Sequence, residues 1–194
     1  MVVTNKGIVA TSQVLASQAG AQILARGGSA MDAAIAANAV LGLTEPMMNG
    51  IGGDLFLLYW DAKSGKLYGL NASGWAPQGL TINFLNKQRI RSMLEEGIHS
   101  VTVPGAVDGW AKAHQRFGRL AWKDLFSPAI YFAENGYAVP EIVRDFWIIG
   151  RARLKQTEEA RVFLPNGKPP DVGEKFANPN LGKTFASADR TRSQ

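Results

Sequence analysis

The sequence predicts an α+β fold that is rich in helices and has a β-hairpin near its centre. Apolar residues recur at helical spacing in several segments that end at glycine, a pattern typical of helices with a glycine C-cap. Two apolar runs, 55–60 and 66–71, flank a turn-rich segment, as in a hairpin. With 194 residues and 46% apolar content, the chain is long enough to bury a core.

Two helices are expected before the hairpin. The first covers 14–26, and Gly27-Gly28 supplies its stop. Ser29 stands three residues before Asp32, as in a capping box, and begins an alanine-rich helix that runs through Leu41. Because alanine covers almost every direction of this second helix, we expect it to be buried, with a sheet as its partner.

The hairpin is predicted from strands at 55–60 and 66–71 around the turn 61–65. Its first strand, Leu-Phe-Leu-Leu-Tyr-Trp, is apolar on both faces, as in a central strand that is covered above and below. A two-stranded sheet with two apolar faces is not stable alone. The other strand candidate, 101–103, is short, so the pattern predicts further strands outside these 194 residues.

The second half of the chain is predicted to be mostly helical. Helices are expected near 81–96, 106–117, 122–135 and 141–160, and a glycine follows each of the first three. Segment 164–180 is rich in proline, asparagine and glycine and is predicted to be loop.

Composition excludes several classes of protein. The chain has no cysteine, which excludes a disulfide scaffold, thiolate zinc, iron–sulfur clusters and a cysteine nucleophile. No apolar run approaches the length of a membrane span, so no membrane association is expected. The first residues show no signal peptide, which predicts a cytoplasmic protein as written, or a periplasmic or extracellular one if the N-terminus is truncated.

The net charge of +5 is concentrated in the last quarter of the chain. Residues 1–143 carry 11 Lys/Arg against 10 Asp/Glu, whereas residues 144–194 carry 10 against 6. The basic residues of the second segment alternate with acids and prolines and lack stacking aromatics. This pattern favours a solvated basic face, and we expect no nucleic-acid partner.

Neither histidine, His99 nor His114, has a carboxylate or second histidine at metal-ligand spacing, so we expect no metal and no cofactor. His114 falls on a predicted helix near two aromatics and is interpreted as a partly buried or surface histidine. Residues 177–184 match a relaxed phosphate-loop pattern. They lack the apolar strand before it and the parallel strands after it, so an ordinary loop that enters a helix is favoured.

The exit of the hairpin is the best candidate for a binding site. Asn71-Ala72-Ser73-Gly74 begins at the last residue of the second predicted strand. Side chains in such a loop can contact a ligand while the sheet holds them in place.

Several short motifs occur in a distinctive order along the chain: Gly7-Ile-Val-Ala10, 19–34, Glu45-Pro46, Gly50-Ile-Gly-Gly53, Ala76-Pro77 and 103–110, with further matches through Gly136. Together they closely resemble the gamma-glutamyltranspeptidase (glutathione hydrolase) family, in the N-terminal part of its large subunit. We therefore expect residues 1–184 to form an incomplete large-subunit region of this kind. Residues 185–194 depart from the family and are expected to be a divergent polar tail.

The resemblance implies a partial N-terminal nucleophile (Ntn) hydrolase fold, an αββα sandwich of two sheets between helical layers. In this family a precursor cleaves itself, and the threonine exposed at the start of the small subunit attacks a gamma-glutamyl amide such as glutathione. No Thr-Thr-His segment occurs here, so no catalytic residue is expected in this chain, which should be inactive alone. The implied partners are a small-molecule acyl donor and the missing small-subunit segment. A non-catalytic, partner-binding module on the same half-fold is the alternative.

One position bears on the substrate. Glutamyl-specific members of the family carry an arginine a few residues before the Ala-Pro pair, where it holds the α-carboxylate of the donor. Alignment on Ala76-Pro77 places Ser73 there, and a serine cannot make a charged, two-point contact. Ser73 and Asn71 are thus the candidate substrate-binding residues, and Ser73 as a simple turn residue is the alternative. The substitution points towards transpeptidase-like, cephalosporin-acylase-like amidohydrolases that accept other acyl groups.

Overall fold

The computed structural model describes residues 2–93, 97–156 and 158–188, and the chain divides into two compact units. The helical unit comprises residues 1–50 and 114–194, and the hairpin unit comprises Ile51–Ala113. In chain order the described elements are α1 (Val14–Ala25), α2 (Ala30–Thr44), β1 (Leu55–Asp61), β2 (Lys66–Ala72), α3 (Ile82–Lys87), α4 (Ala106–Phe117), α5 (Ser127–Asn135), β3 (Tyr137–Ala138), α6 (Glu141–Leu154), β4 (Lys175–Phe176) and α7 (Pro179–Ser187).

The first two helices confirm the local predictions that were made for their ends. Gly27 adopts a φ of +89° directly after α1, and Ser29 and Asp32 form the capping box of α2. Helix α2 is buried as expected; it packs against α1 and α5, and the hydroxyl of Tyr137 in β3 donates to the carbonyl oxygens of Leu43 and Thr44 at its C-terminal end. Small residues make this close helix pairing possible: a side chain at Gly20 of α1 would press on the carbonyl oxygen of Ala33 in α2.

The core of the helical unit is built around aromatic side chains. Trp147 of α6 is 2% exposed and meets Phe176 of β4 edge-to-face at 4.8 Å between ring centroids. Strands β3 and β4 pair antiparallel, with Tyr137 opposite Phe176. The same cluster includes Leu43, Ala133, Val139 and Val143.

In the hairpin unit, β1 pairs antiparallel with β2 from Leu55 opposite Ala72 to Asp61 opposite Lys66. Side chains alternate along β1 between half-buried and exposed positions. We call the exposed side the open face; its apolar members, each 60–79% exposed, are Phe56, Leu58, Trp60 and Leu67. The hairpin prediction is thus confirmed; among the described residues, one of its two apolar faces is half-buried and the other is exposed.

Several predicted boundaries were wrong. Helix α3 ends at Lys87 because Arg89 takes a left-handed φ of +58°, although a helix was expected over 81–96; residues 94–96 lie outside the described part. Residues Trp122–Phe126 form a 3-10 helix before α5. Segment 101–103 is not a strand, and 164–180 contains a 3-10 turn, β4 and the start of α7 besides loop.

Helix α7 bears on two interpretations of the C-terminal region. Phe185 within it is buried and stacks on Phe126 at 5.6 Å between ring centroids, whereas residues 189–194 lie outside the described part. The segment before α7 holds the two-residue, antiparallel β4, which does not provide the parallel strand that a phosphate loop needs.

Among the described residues, no helix combines the length and hydrophobicity needed to span a membrane.

Candidate functional site

Three segments meet at the exit of the hairpin, within the hairpin unit. The carbonyl oxygen of Gly53 accepts hydrogen bonds from the backbone N–H groups of Gly105 and Ala106, at 3.1 and 3.0 Å. The N–H of Val103 donates to the carbonyl oxygen of Trp75 at 3.0 Å. The entry to β1, the exit of β2 and the start of α4 are therefore tied together by backbone hydrogen bonds. We call this junction the hairpin exit.

Asp54 links all three segments through one oxygen. Its Oδ1 accepts a hydrogen bond from the backbone N–H of Gly74 at 3.2 Å and another from the hydroxyl of Thr102 at 3.1 Å. Asp54 is exposed, and it forms no ion pair with any residue that the structure describes. Sequence reasoning missed this residue because Thr102 lies 48 positions away.

The two predicted substrate-binding residues lie together at this junction. Asn71 Oδ1 accepts a hydrogen bond from the backbone N–H of Ser73 at 2.9 Å, which makes a local turn. Asn71 stands opposite Phe56 in the ladder, so its exposed side chain projects from the open face. Ser73 is half-buried. The geometry thus includes the turn that was the alternative interpretation of Ser73, and it leaves a substrate contact as a prediction.

Glycines allow the three segments to come this close. A side chain at Gly74 would collide with the carbonyl oxygen of Val103, and one at Gly105 would collide with that of Ala72. A side chain at Gly109, on α4, would press on Leu55. Any larger residue at these positions would push the hairpin exit apart.

A second polar cluster lies in the interior of the helical unit. Asp32 is fully buried, and its Oδ2 accepts hydrogen bonds from the backbone N–H groups of Ser29, Arg119 and Leu120 at 2.8–3.1 Å. His114 is also buried; its Nε2 lies 2.9 Å from the carbonyl oxygen of Leu120 and 3.5 Å from Asp32 Oδ1. Because these contacts all join elements of the unit, we assign the cluster a structural role.

His99 is the other histidine considered above. It lies edge-to-face with Phe84, with ring centroids 5.5 Å apart. Within the described ranges, no group of three or more histidine, aspartate or glutamate side chains could hold a metal ion.

A groove in the helical unit has a lining that includes neither of the predicted binding residues. It has a volume of about 820 Å³ and an apolar lining that includes Met48, Ile142 and Phe146. Glu45 stands at its edge, where its Oε2 accepts hydrogen bonds from Ser12 at 2.8 Å and Asn49 at 3.5 Å. The carboxylate of Glu45 is thus already paired by groups of the same unit.

Two side chains of the described residues have clearly shifted pKa values. Burial raises the pKa of Tyr137 well above its ordinary value, and the negative charge of Glu45 adds to the effect. The Tyr137 hydroxyl lies 3.3 Å from the carbonyl oxygens of Leu43 and Thr44, to which it donates. In the hairpin turn, the hydroxyl of Ser64 lowers the pKa of Asp61 through a hydrogen bond.

Comparison with known proteins identifies the class to which this arrangement belongs. The sequence model of the family "Gamma-glutamyltranspeptidase" matches residues 16–191. The chain therefore belongs to the gamma-glutamyltranspeptidase family, as its motif order indicates.

Relatives in this family have both glutathione hydrolase and acylase names. The chain is 36% identical over 183 residues to the glutathione hydrolase proenzyme of Bacillus subtilis. It superposes on gamma-glutamyltranspeptidase of Helicobacter pylori with a TM-score of 0.91 and 29% identity, covering 98% of this chain and 56% of that one. It superposes on cephalosporin acylase of Bacillus halodurans with a TM-score of 0.88 and 36% identity, covering 98% of this chain and 38% of that one.

The chain is much shorter than these relatives. The match to the Bacillus subtilis proenzyme covers 92% of this chain and 31% of that protein. The chain thus spans about a third of the length of that relative.

Proposed function

We propose that this chain is the N-terminal part of the large subunit of a gamma-glutamyltranspeptidase-like acyl-transfer enzyme. Membership in the family carries this proposal, together with the short share of the relatives that the chain spans. In the proposed enzyme, a further segment supplies the threonine nucleophile and completes an αββα sandwich. The open face of the hairpin supports this arrangement, because an apolar strand face is stable when another layer covers it.

The proposed reaction divides between the two parts of the enzyme. The threonine hydroxyl of the further segment attacks the carbonyl carbon of the acyl donor, and its α-amino group takes the proton. The amine leaves with a proton, and water or an acceptor amine then takes the acyl group from the threonine. The part of this chain is to hold the donor, with Ser73 and Asn71 at the hairpin exit as the binding residues.

The donor is a gamma-glutamyl amide, such as glutathione, or a related acyl amide. Ser73 favours the second class, because a serine lacks the charge and the paired donors with which an arginine holds a carboxylate. Relatives of both classes reach 36% identity, so the preference for the second class rests on Ser73.

The test compares the chain with and without the proposed partner segment. The purified chain, incubated with gamma-glutamyl, glutaryl and other acyl p-nitroanilides, should release no more p-nitroaniline than a control without protein. Co-expression with the C-terminal segment of a family member should restore release. Turnover by the chain alone would contradict the proposed division of labour. A stable complex that turns over none of the donors would favour the non-catalytic module.

A further inference from the structure

We infer that Asp54 sets the charge preference of the hairpin exit, so that the site rejects acyl donors with a carboxylate and accepts neutral or ammonium-bearing ones. This inference rests on the proposed function and names the substrate class of that site. Its basis is the set of acceptors within the protein to which the hydrogen-bond donors of the hairpin exit are already paired.

A carboxylate in a protein site is held by cations or by hydrogen-bond donors. At the hairpin exit, the backbone N–H of Ser73 donates to Asn71 Oδ1, and the backbone N–H of Gly74 donates to Asp54 Oδ1. The hydroxyl of Thr102 also donates to Asp54 Oδ1. These three donors are therefore already paired with acceptors of the protein, which leaves the uncharged Asn71 amide and Ser73 hydroxyl as the side-chain donors of the two predicted binding residues.

The Asp54 carboxylate already accepts the Gly74 N–H, which a substrate anion at this junction would otherwise be able to accept. It accepts the Gly74 N–H one residue beyond Ser73, and among the described residues it has no cationic partner that would cancel its charge. A second carboxylate beside it would meet like-charge repulsion. An ammonium group would instead be attracted, and the Ser73 hydroxyl can donate to or accept from a neutral group.

Three p-nitroanilides that differ by one group each test this preference on the chain assembled with a C-terminal segment. The gamma-glutamyl compound carries an α-carboxylate and an α-amino group, the 4-aminobutyryl compound lacks the carboxylate, and the glutaryl compound lacks the amino group. We expect kcat/KM for the 4-aminobutyryl compound to exceed that for the glutaryl compound by about tenfold, through KM.

Asp54→Asn separates the charge from the positioning role, because an asparagine oxygen can still accept both hydrogen bonds. This variant should lower the preference for the 4-aminobutyryl compound by about fivefold. Asp61→Asn is the matched control, since it makes the same change at the other end of β1, about 20 Å away. It should leave the preference unchanged. A wild-type preference for the glutaryl compound, or an equal effect of the two variants, would overturn the inference.

Failure of the proposed function gives a different result: the assembled protein turns over none of the three anilides. The inference is then decided on the chain by itself, from the NMR amide signals of Ser73 and Gly74 during titration with glutaramate and 4-aminobutyramide. Support requires that 4-aminobutyramide shift these signals more in the wild type than in Asp54→Asn. Equal shifts in the two proteins, including no shift in either, would overturn it.

Discussion

The two units of this chain differ in the burial of their largest apolar side chains. The helical unit encloses its large side chains, such as Trp147 and Phe126, in a packed interior. The hairpin unit leaves Phe56, Leu58 and Trp60 exposed in a row along one strand. The first unit therefore has a packed aromatic interior beside exposed side chains such as Ile142 and Ile149, whereas the second has an apolar strand face of the kind that joins a further layer.

The strongest test of this contrast replaces one tryptophan in each unit. Trp147→Ala removes a side chain that is 2% exposed and packed against Phe176, so it should lower the free energy of unfolding by about 3–5 kcal/mol. Trp60→Ala removes one that is 60% exposed, and the loss should stay below about 1 kcal/mol. Urea unfolding followed by circular dichroism measures both. Equal losses would show that the open face is buried in solution.

A somewhat smaller effect is expected from one aspartate in each unit. Asp32→Ala leaves the backbone N–H groups of Arg119 and Leu120 without their acceptor, so we expect a loss of about 2–4 kcal/mol. Asp108→Ala removes an exposed ion pair with Lys112, which should cost less than about 0.5 kcal/mol. The same urea titrations apply. Similar costs for the two variants would contradict the role of Asp32 as a buried link.

The alkaline stability of the helical unit depends on Tyr137. Because its pKa is raised in the folded state, the unfolded chain releases this proton first, and stability falls as the pH rises above about 10. Below that pH the contribution of the protonated Tyr137 hydroxyl to the free energy of unfolding is fully present. Tyr137→Phe should remove this fall in stability at alkaline pH, that is, its part of the slope of the free energy of unfolding against pH. At neutral pH the variant should lower the free energy of unfolding by about 1 kcal/mol through its lost hydrogen bonds.

The measurement is the free energy of unfolding between neutral pH and the alkaline range. Tyr131→Phe, on the exposed side of α5, is the control and should leave the slope as it is in the wild type. An unchanged slope in Tyr137→Phe would show that another group titrates.

Features that depend on neighbouring residues could be predicted from the sequence. The stop at Gly27, the capping box of Ser29 and Asp32, and the pairing of the two hairpin strands follow from local rules of backbone geometry and side-chain spacing. The position of Asn71 and Ser73 at the end of β2 followed from the same local pattern. The family could be predicted because its motifs occur in a specific order.

Features that depend on residues far apart in the chain could not be predicted from the sequence. Asp32 meets Arg119 across 87 positions, and Asp54 meets Thr102 across 48. The periodic spacing of apolar residues, which predicts helices and strands, does not predict such contacts. The two-residue strands β3 and β4 are too short to show a period of two, and their pairing depends on the packing of Tyr137 and Phe176.

The smallest effect on stability should accompany the largest effect on assembly. Leu58→Lys places a charge on the open face, where the native side chain is 79% exposed, so the free energy of unfolding should change by less than about 0.5 kcal/mol. The same charge would be buried in any layer that covers this face, at a cost that opposes association. Co-expression with the C-terminal segment, followed by copurification, should therefore recover the wild-type complex and not the variant.

The neighbouring residue supplies the control for this experiment. Leu57 lies on the other, half-buried side of β1, so Leu57→Lys should destabilise the chain itself by more than Leu58→Lys. If Leu58→Lys assembles as well as the wild type, the open face is not the surface that the further segment covers. If it loses both stability and assembly, the open face already contributes to the folded chain, and the contrast between the two units becomes one of degree.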